Sequence, residues 1–114
     1  MTNKEKQILL KDLSARLPYG VRCNVNFNYR ESELTPELLH EFLTEDVSIR
    51  PYLRPISSMT EEEKKFYKKY FNWYEQPLED MVELIDWFDA HHFDYRYLIE
   101  KGLALEAPDG MYNN

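Results

Sequence analysis

The chain has 114 residues, 43% of them hydrophobic and 15% aromatic, which suits one hydrophobic core and is too short for two comfortable domains. The formal net charge is −7, and the excess lies in the second half: residues 1–57 carry 8 basic and 8 acidic side chains, whereas residues 58–114 carry 6 and 13. This balance argues against direct binding of nucleic acid, the single Cys23 excludes an internal disulfide, and without an apolar run suited to a signal or a membrane span we expect a cytoplasmic protein.

The N-terminal part of the chain predicts a helix followed by a strand. Thr2 and Glu5 have the spacing of a capping box, and leucines recur at helical spacing as far as Pro18, so we expect a helix over 2–17. Strict alternation over 21–29 predicts a strand. Its odd-numbered residues would face the core and its even-numbered residues, three of them asparagines, would face solvent.

The middle of the chain predicts a second helix and an extended segment. Thr35 followed by Pro36 is a favoured helix start, which predicts a helix over 36–44. Residues 46–54 are predicted to be extended. Because Pro51 lacks a backbone donor, we expect this segment to form an edge strand or an interrupted one.

Two amphipathic helices are predicted in the second half. Thr60 and Glu63 give another capping box for a helix over 61–74, whose aromatic face we interpret as core, with ligand binding or self-association as alternatives. A helix over 77–91 follows, and one of its faces is apolar. The side chains of that face are Leu78, Met81, Val82, Leu84, Ile85 and Phe88.

Two short elements complete the predicted fold. Asp94 is a suitable cap for a helix over 95–101, with Gly102 after its end, and a short strand is predicted over 103–106. Together the elements predict a single α+β domain over 1–114. We expect a small two- or three-stranded sheet packed against three to five helices, among them the first helix and the two long C-terminal ones.

The densest polar cluster lies at 86–94, and its candidate metal ligands are Asp89, His91, His92 and Asp94. Asp89 and His92 are three residues apart, which places them on one helix face. We therefore favour a structural Asp–His hydrogen bond near the helix end. A small metal-dependent or acid/base enzyme is the alternative. Because neither a metal-ligand spacing nor a nucleophile accompanies the cluster, we expect no cofactor and assign no catalytic residue.

Trp87 is the outlying residue of its predicted helix, since it projects among Glu83 and Asp80 and away from the apolar face. An exposed Trp ringed by acids would anchor a partner protein. The alternative is that another segment of the chain covers it. A third hypothesis is an acidic mimic of nucleic acid, for which the available carboxylates are Glu79, Asp80, Glu83 and Asp86.

Three segments carry a resemblance. They are Leu13 to Asn28, then Ile49-Arg50-Pro51-Tyr52-Leu53-Arg54-Pro55 with Ser57-Ser58-Met59, and His91-His92-Phe93-Asp94-Tyr95 continued by Leu98-Ile99-Glu100-Lys101-Gly102-Leu103-Ala104. The chain resembles a group of small proteins of gut Bacteroides-type bacteria, their phages and mobile elements. The group has no assigned activity, so the resemblance implies no residue role. It implies a bacterial or phage cytoplasmic setting.

The favoured hypothesis is a non-enzymatic accessory protein that acts by binding another protein. A basic protein surface would suit the acidic second half of the chain. A second copy of the chain is the alternative partner, and we expect no direct nucleic acid and no membrane.

Overall fold

The structure, a computed structural model, describes residues 1–26, 31–70 and 78–112. The described part is an α+β fold with four α-helices and a four-stranded mixed sheet, which confirms the predicted fold class and adds one strand to the expected number. The helices are α1 (Asn3–Arg16), α2 (Pro36–Thr44), α3 (Glu61–Lys69) and α4 (Leu78–Ala90), and the strands are β1 (Arg22–Val25), β2 (Glu31–Glu33), β3 (Ile49–Leu53) and β4 (Leu105–Glu106).

The predicted helix starts are confirmed by their caps. The Thr2 hydroxyl accepts a hydrogen bond from the Glu5 amide at 3.1 Å, and the Glu5 carboxylate accepts one from the Thr2 amide at 2.9 Å. Thr60 and Glu63 form the same reciprocal pair at α3, and Thr35 caps α2. Each cap satisfies amides that the first turn leaves unpaired. Residues 71–74 and 77, predicted to be helical, lie outside the described residues.

Strand β1 is shorter than predicted. It ends at Val25 because Asn26 adopts a left-handed backbone conformation with φ of 56°, and the Asn26 side chain accepts a hydrogen bond from the Ser48 amide. The predicted residues 27–29 lie outside the described part of the chain. Asparagine tolerates a left-handed backbone conformation better than most residues. Asn26 therefore ends the strand, a role that the alternating pattern does not reveal.

The predicted alternation of core and solvent faces along β1 holds except at Asn24, since Arg22 is partly exposed and Asn26 is exposed. Val21, Cys23 and Val25 are buried as expected, but Asn24, predicted to face solvent, is buried too. The strand is interior to the sheet, and Arg50 of β3 lies across Asn24, with its Nη2 3.5 Å from the Asn24 Oδ1. The Arg50 side chain therefore helps to cover Asn24 on the second face.

The prediction of an edge strand around Pro51 was wrong, because the strand order is β2-β1-β3-β4 and β3 is interior. Pro51 lies opposite Cys23. The amide of Asn26 donates to Ser48, and hydrogen-bonded pairs alternate along an antiparallel ladder, so Pro51 occupies a position where β1 needs no donor. On the other side β4 pairs only from Tyr52 onward. The missing N–H therefore costs the sheet no ladder bond.

The helix predicted over 95–101 is a series of turns. Tyr97 has a φ of 60°, which interrupts an α-helix, although the Asp94 carboxylate still accepts hydrogen bonds from the amides of Leu98 and Ile99 at 2.9 and 3.0 Å. The predicted strand over 103–106 is present as β4, which is parallel to β3.

The core has two parts. The sheet packs mainly against α1, α2 and the segment around Leu98 and Leu103. A second cluster joins Phe88 of α4 and Tyr67 of α3 to Phe93. The expectation that the two C-terminal helices cover the sheet was therefore wrong for the described residues: α3 and α4 pack on each other in the second cluster, and the C-terminal end of α4 approaches α1 through Asp89 and Arg16.

Candidate functional site

The Asp/His cluster at 86–94 does not converge on one point. Helix α4 ends at Ala90, and His92 has a φ of 64°, so the helical spacing that would align Asp89 with His92 is lost. In the described part of the chain the hydrogen-bond partner of Asp89 is the Tyr95 hydroxyl, at 2.7 Å, and not the His92 ring. The predicted Asp–His hydrogen bond is therefore wrong.

Asp89 belongs instead to a buried network of charges. Arg16 of α1, which has no solvent exposure, pairs with Asp12 at 2.8 Å and donates to the Phe93 carbonyl at 2.7 Å. Its Nε lies 3.9 Å from the Asp89 carboxylate. Burial raises the pKa of Asp89 above its ordinary value. The network joins α1 to the end of α4, which is a structural role.

The sequence contains a signal for this network. Asp12 and Arg16 are four residues apart and fall on the same helix face as Leu9 and Leu13, both fully buried. Opposite charges on an otherwise apolar face predict a buried pair.

His91 faces a different ion pair. Arg54 donates two hydrogen bonds to Glu63, at 2.7 and 2.9 Å, and packs over the Phe93 ring with 4.2 Å to its centroid. The hydrogen bonds from Arg54 lower the pKa of Glu63 to about 2. The His91 Nδ1 lies 3.6 Å from the same carboxylate.

His92 is almost fully buried against the C-terminal segment. Its ring stacks on Tyr112 with 3.7 Å between centroids, and the Tyr112 hydroxyl donates to the Tyr52 carbonyl of β3 at 2.7 Å. Burial, helped by the nearby charge of Arg16, lowers the pKa of His92 to about 4. The imidazole is therefore neutral at pH 7.

The four candidate metal ligands contact different parts of the molecule. Asp89, His91, His92 and the capping Asp94 have four separate sets of partners. Among the described residues no group of three or more His, Cys, Asp or Glu side chains is arranged to hold a metal ion.

A polar cleft of about 500 Å³ lies beside His91, between the start of α3 and the segment after β4. The hydroxyls that line it are engaged: Ser58 donates to the Pro55 carbonyl, and Thr60 caps α3. Arg54 and Glu63 are paired with each other. These four lining residues thus already stabilise the fold.

Trp87 is covered by its own chain. Its ring stacks on Phe66 of α3, with 4.8 Å between centroids, and contacts Phe88, His91 and Phe93. Beside it Glu83 accepts a hydrogen bond from Tyr70. Trp87 is therefore half-buried and not an outlying side chain, because α3 packs against its ring, as the alternative of a covering segment expected. Its role as a partner anchor stays a prediction.

The predicted core face of α4 is instead largely exposed. The exposed fractions are 81% for Leu78, 50% for Met81, 59% for Val82 and 42% for Ile85. These four side chains, at positions i, i+3, i+4 and i+7, form one line along the helix, here named the α4 stripe. Among the apolar side chains predicted on this face Phe88, at its C-terminal end, is buried. Periodicity missed this, because a face that packs in its own core and a face left open have the same spacing.

No helix in the described part of the chain combines the length and the apolarity that a membrane span requires. Comparison of the chain with protein-family models, with curated proteins and with solved structures finds no match.

Proposed function

We propose that this protein is a non-enzymatic accessory protein that binds another protein through the α4 stripe. The observation that carries the proposal is the exposure of four large apolar side chains in one line on a regular helix. Single exposed apolar residues are normal on a protein surface, but a contiguous set is typical of interaction sites. The cytoplasm of a bacterium or phage-infected cell, implied by the resemblance, is the proposed setting.

Binding is favoured over catalysis by the state of the polar residues. Asp89, His91 and His92 lie in contacts that hold α1, α3 and the C-terminal segment in place. A general acid or base would need a free face toward a substrate. The stripe residues, by contrast, belong to neither core cluster of the described part of the chain.

Site-specific photocrosslinking in the native host tests the proposal. A photoreactive residue at Val82 should give one adduct that saturates, is competed by excess unlabelled protein and is identified by mass spectrometry. The same residue at Lys11, exposed on α1, is the matched control and should give no such adduct. Adding Ile85→Lys should reduce the Val82 adduct roughly tenfold, because a charge in the centre of an apolar contact is strongly unfavourable. Equal adducts from Val82 and Lys11 would contradict the proposal.

A further inference from the structure

We propose that the partner helix is basic: the α4 stripe binds a basic amphipathic helix of a different protein. This inference rests on the proposed function and adds the chemical class of the partner. Three properties of α4 carry it: the shape of the stripe, the charges beside it and the effect of those charges on self-pairing.

The shape of the stripe favours a helical partner. Helix α4 has 13 residues, so it is about 20 Å long. The four exposed side chains follow one edge of it for two turns, and on the far side Trp87 and Leu84 pack in the aromatic cluster with α3. A straight apolar ridge of this kind is complementary to the groove of a second amphipathic helix.

The charges of α4 favour a basic partner. The segment 78–90 contains five acidic residues and no basic one. Asp89 is buried, whereas Glu79 and Asp86 are exposed and, at about 100° per residue, border the same side of the stripe. Lysines or arginines flanking the apolar face of a partner helix would meet these carboxylates, which speeds association and selects the partner.

The same charges disfavour a second copy of this chain. Two α4 stripes packed face to face would bring together two helices that each carry five acidic residues and no basic one within 78–90. In an antiparallel pair the Glu79 and Asp86 borders of both helices would also lie on the same side of the interface. Like charges across an interface act against the wrong partner. An anionic lipid surface is disfavoured for the same reason.

A display library of helical peptides tests the partner class. Each peptide carries a fixed leucine stripe, and its flanking positions are randomised between Lys and Glu. The library is selected on the full-length protein and counter-selected on the Met81→Lys/Ile85→Lys variant. We expect enrichment of Lys at the flanks, and binding that weakens as salt is raised.

Charge reversal on α4 then gives a matched comparison. Glu79→Lys/Asp86→Lys should weaken binding of an enriched peptide roughly fivefold, because exposed charge pairs at the rim each contribute modestly. Glu37→Lys/Glu41→Lys, which changes two exposed acids on α2 by the same amount, should leave binding within about twofold, because α2 does not border the stripe.

Several outcomes would overturn the inference. Stripe-dependent peptides with Glu at the flanks, or with no charge preference, would refute a basic partner while leaving the proposed function intact. A stripe-dependent homodimer in sedimentation, or stripe-dependent binding to lipid vesicles, would also refute it. Absence of any stripe-dependent peptide would refute it as well, and the Val82 crosslink would then decide whether the proposed function survives.

Discussion

At the scale of single residues, the most unusual feature is how much charge lies inside this small protein. Arg16 has no solvent exposure, yet it contacts Asp12, the Phe93 carbonyl and Asp89. Buried ions are tolerated when they are paired and hydrogen-bonded, and removing one partner is costly. The network thus fixes α1 against the end of α4. Its charged residues have a structural role, so their presence alone does not indicate a functional site.

The buried His92 predicts a dependence of stability on pH. Its pKa is about 4 in the folded chain, against an ordinary value of 6.5, so the unfolded chain binds more protons between these values. The contribution of the neutral His92 to the free energy of unfolding is therefore fully present above pH 6.5 and is lost as the pH falls toward 4. Between pH 7 and pH 5 the titration of His92 should lower the free energy of unfolding by about 2 kcal/mol. Urea unfolding across this range measures it.

The control for this prediction is His92→Asn, which removes the titrating group and keeps a residue that accepts a positive φ. The variant should lose much less stability over the same pH range. If the free energy of unfolding fell equally with pH in both proteins, a group other than His92 would cause the dependence.

At the scale of elements, α3 is attached to the fold by its first turn. No residue of the described stretch Glu61–Lys69 is fully buried, so apolar packing alone holds this helix weakly. Glu63 contributes twice there, since it closes the capping box with Thr60 and pairs with Arg54. Contacts of its aromatic side chains with α4 complete the attachment.

Substitution of Glu63 tests whether its cap and its ion pair attach α3 to the fold. Glu63→Ala should lower the free energy of unfolding by about 2 kcal/mol, because a charge-assisted pair and a cap are lost together. Glu62→Ala, an exposed acid of the same turn, should change it by less than about 0.5 kcal/mol. Chemical denaturation measures both. Equal costs would mean that the first turn does not anchor α3.

Local signals predicted the helices better than the sheet. The caps at Thr2, Thr35 and Thr60 depend on neighbours three residues away, and all three predicted starts are confirmed. The place of Pro51 in an interior strand depends on the register with β1, which the local sequence does not contain. Left-handed residues such as Asn26 and Tyr97 ended predicted elements for reasons that periodicity cannot detect.

At the scale of the whole molecule, the α4 stripe was predicted as one face of a helix but not as an exposed surface. The sequence correctly marked the 78–90 segment as an amphipathic helix and as acidic. It could not show that the sheet obtains its core from α1 and α2, while the side chains of the α4 stripe stay exposed. Whether a face is covered depends on tertiary packing, so its apolar spacing alone supported the wrong interpretation.

The central claim is that the α4 stripe contributes little to the fold and is open to a partner. Equilibrium unfolding of two variants tests it most directly. Met81→Lys/Ile85→Lys should change the free energy of unfolding by less than about 1 kcal/mol, because both side chains are at least 42% exposed. Phe88→Ala, on the buried end of the same face, should cost about 3 kcal/mol. A loss of about 3 kcal/mol or more in the lysine variant would contradict the account.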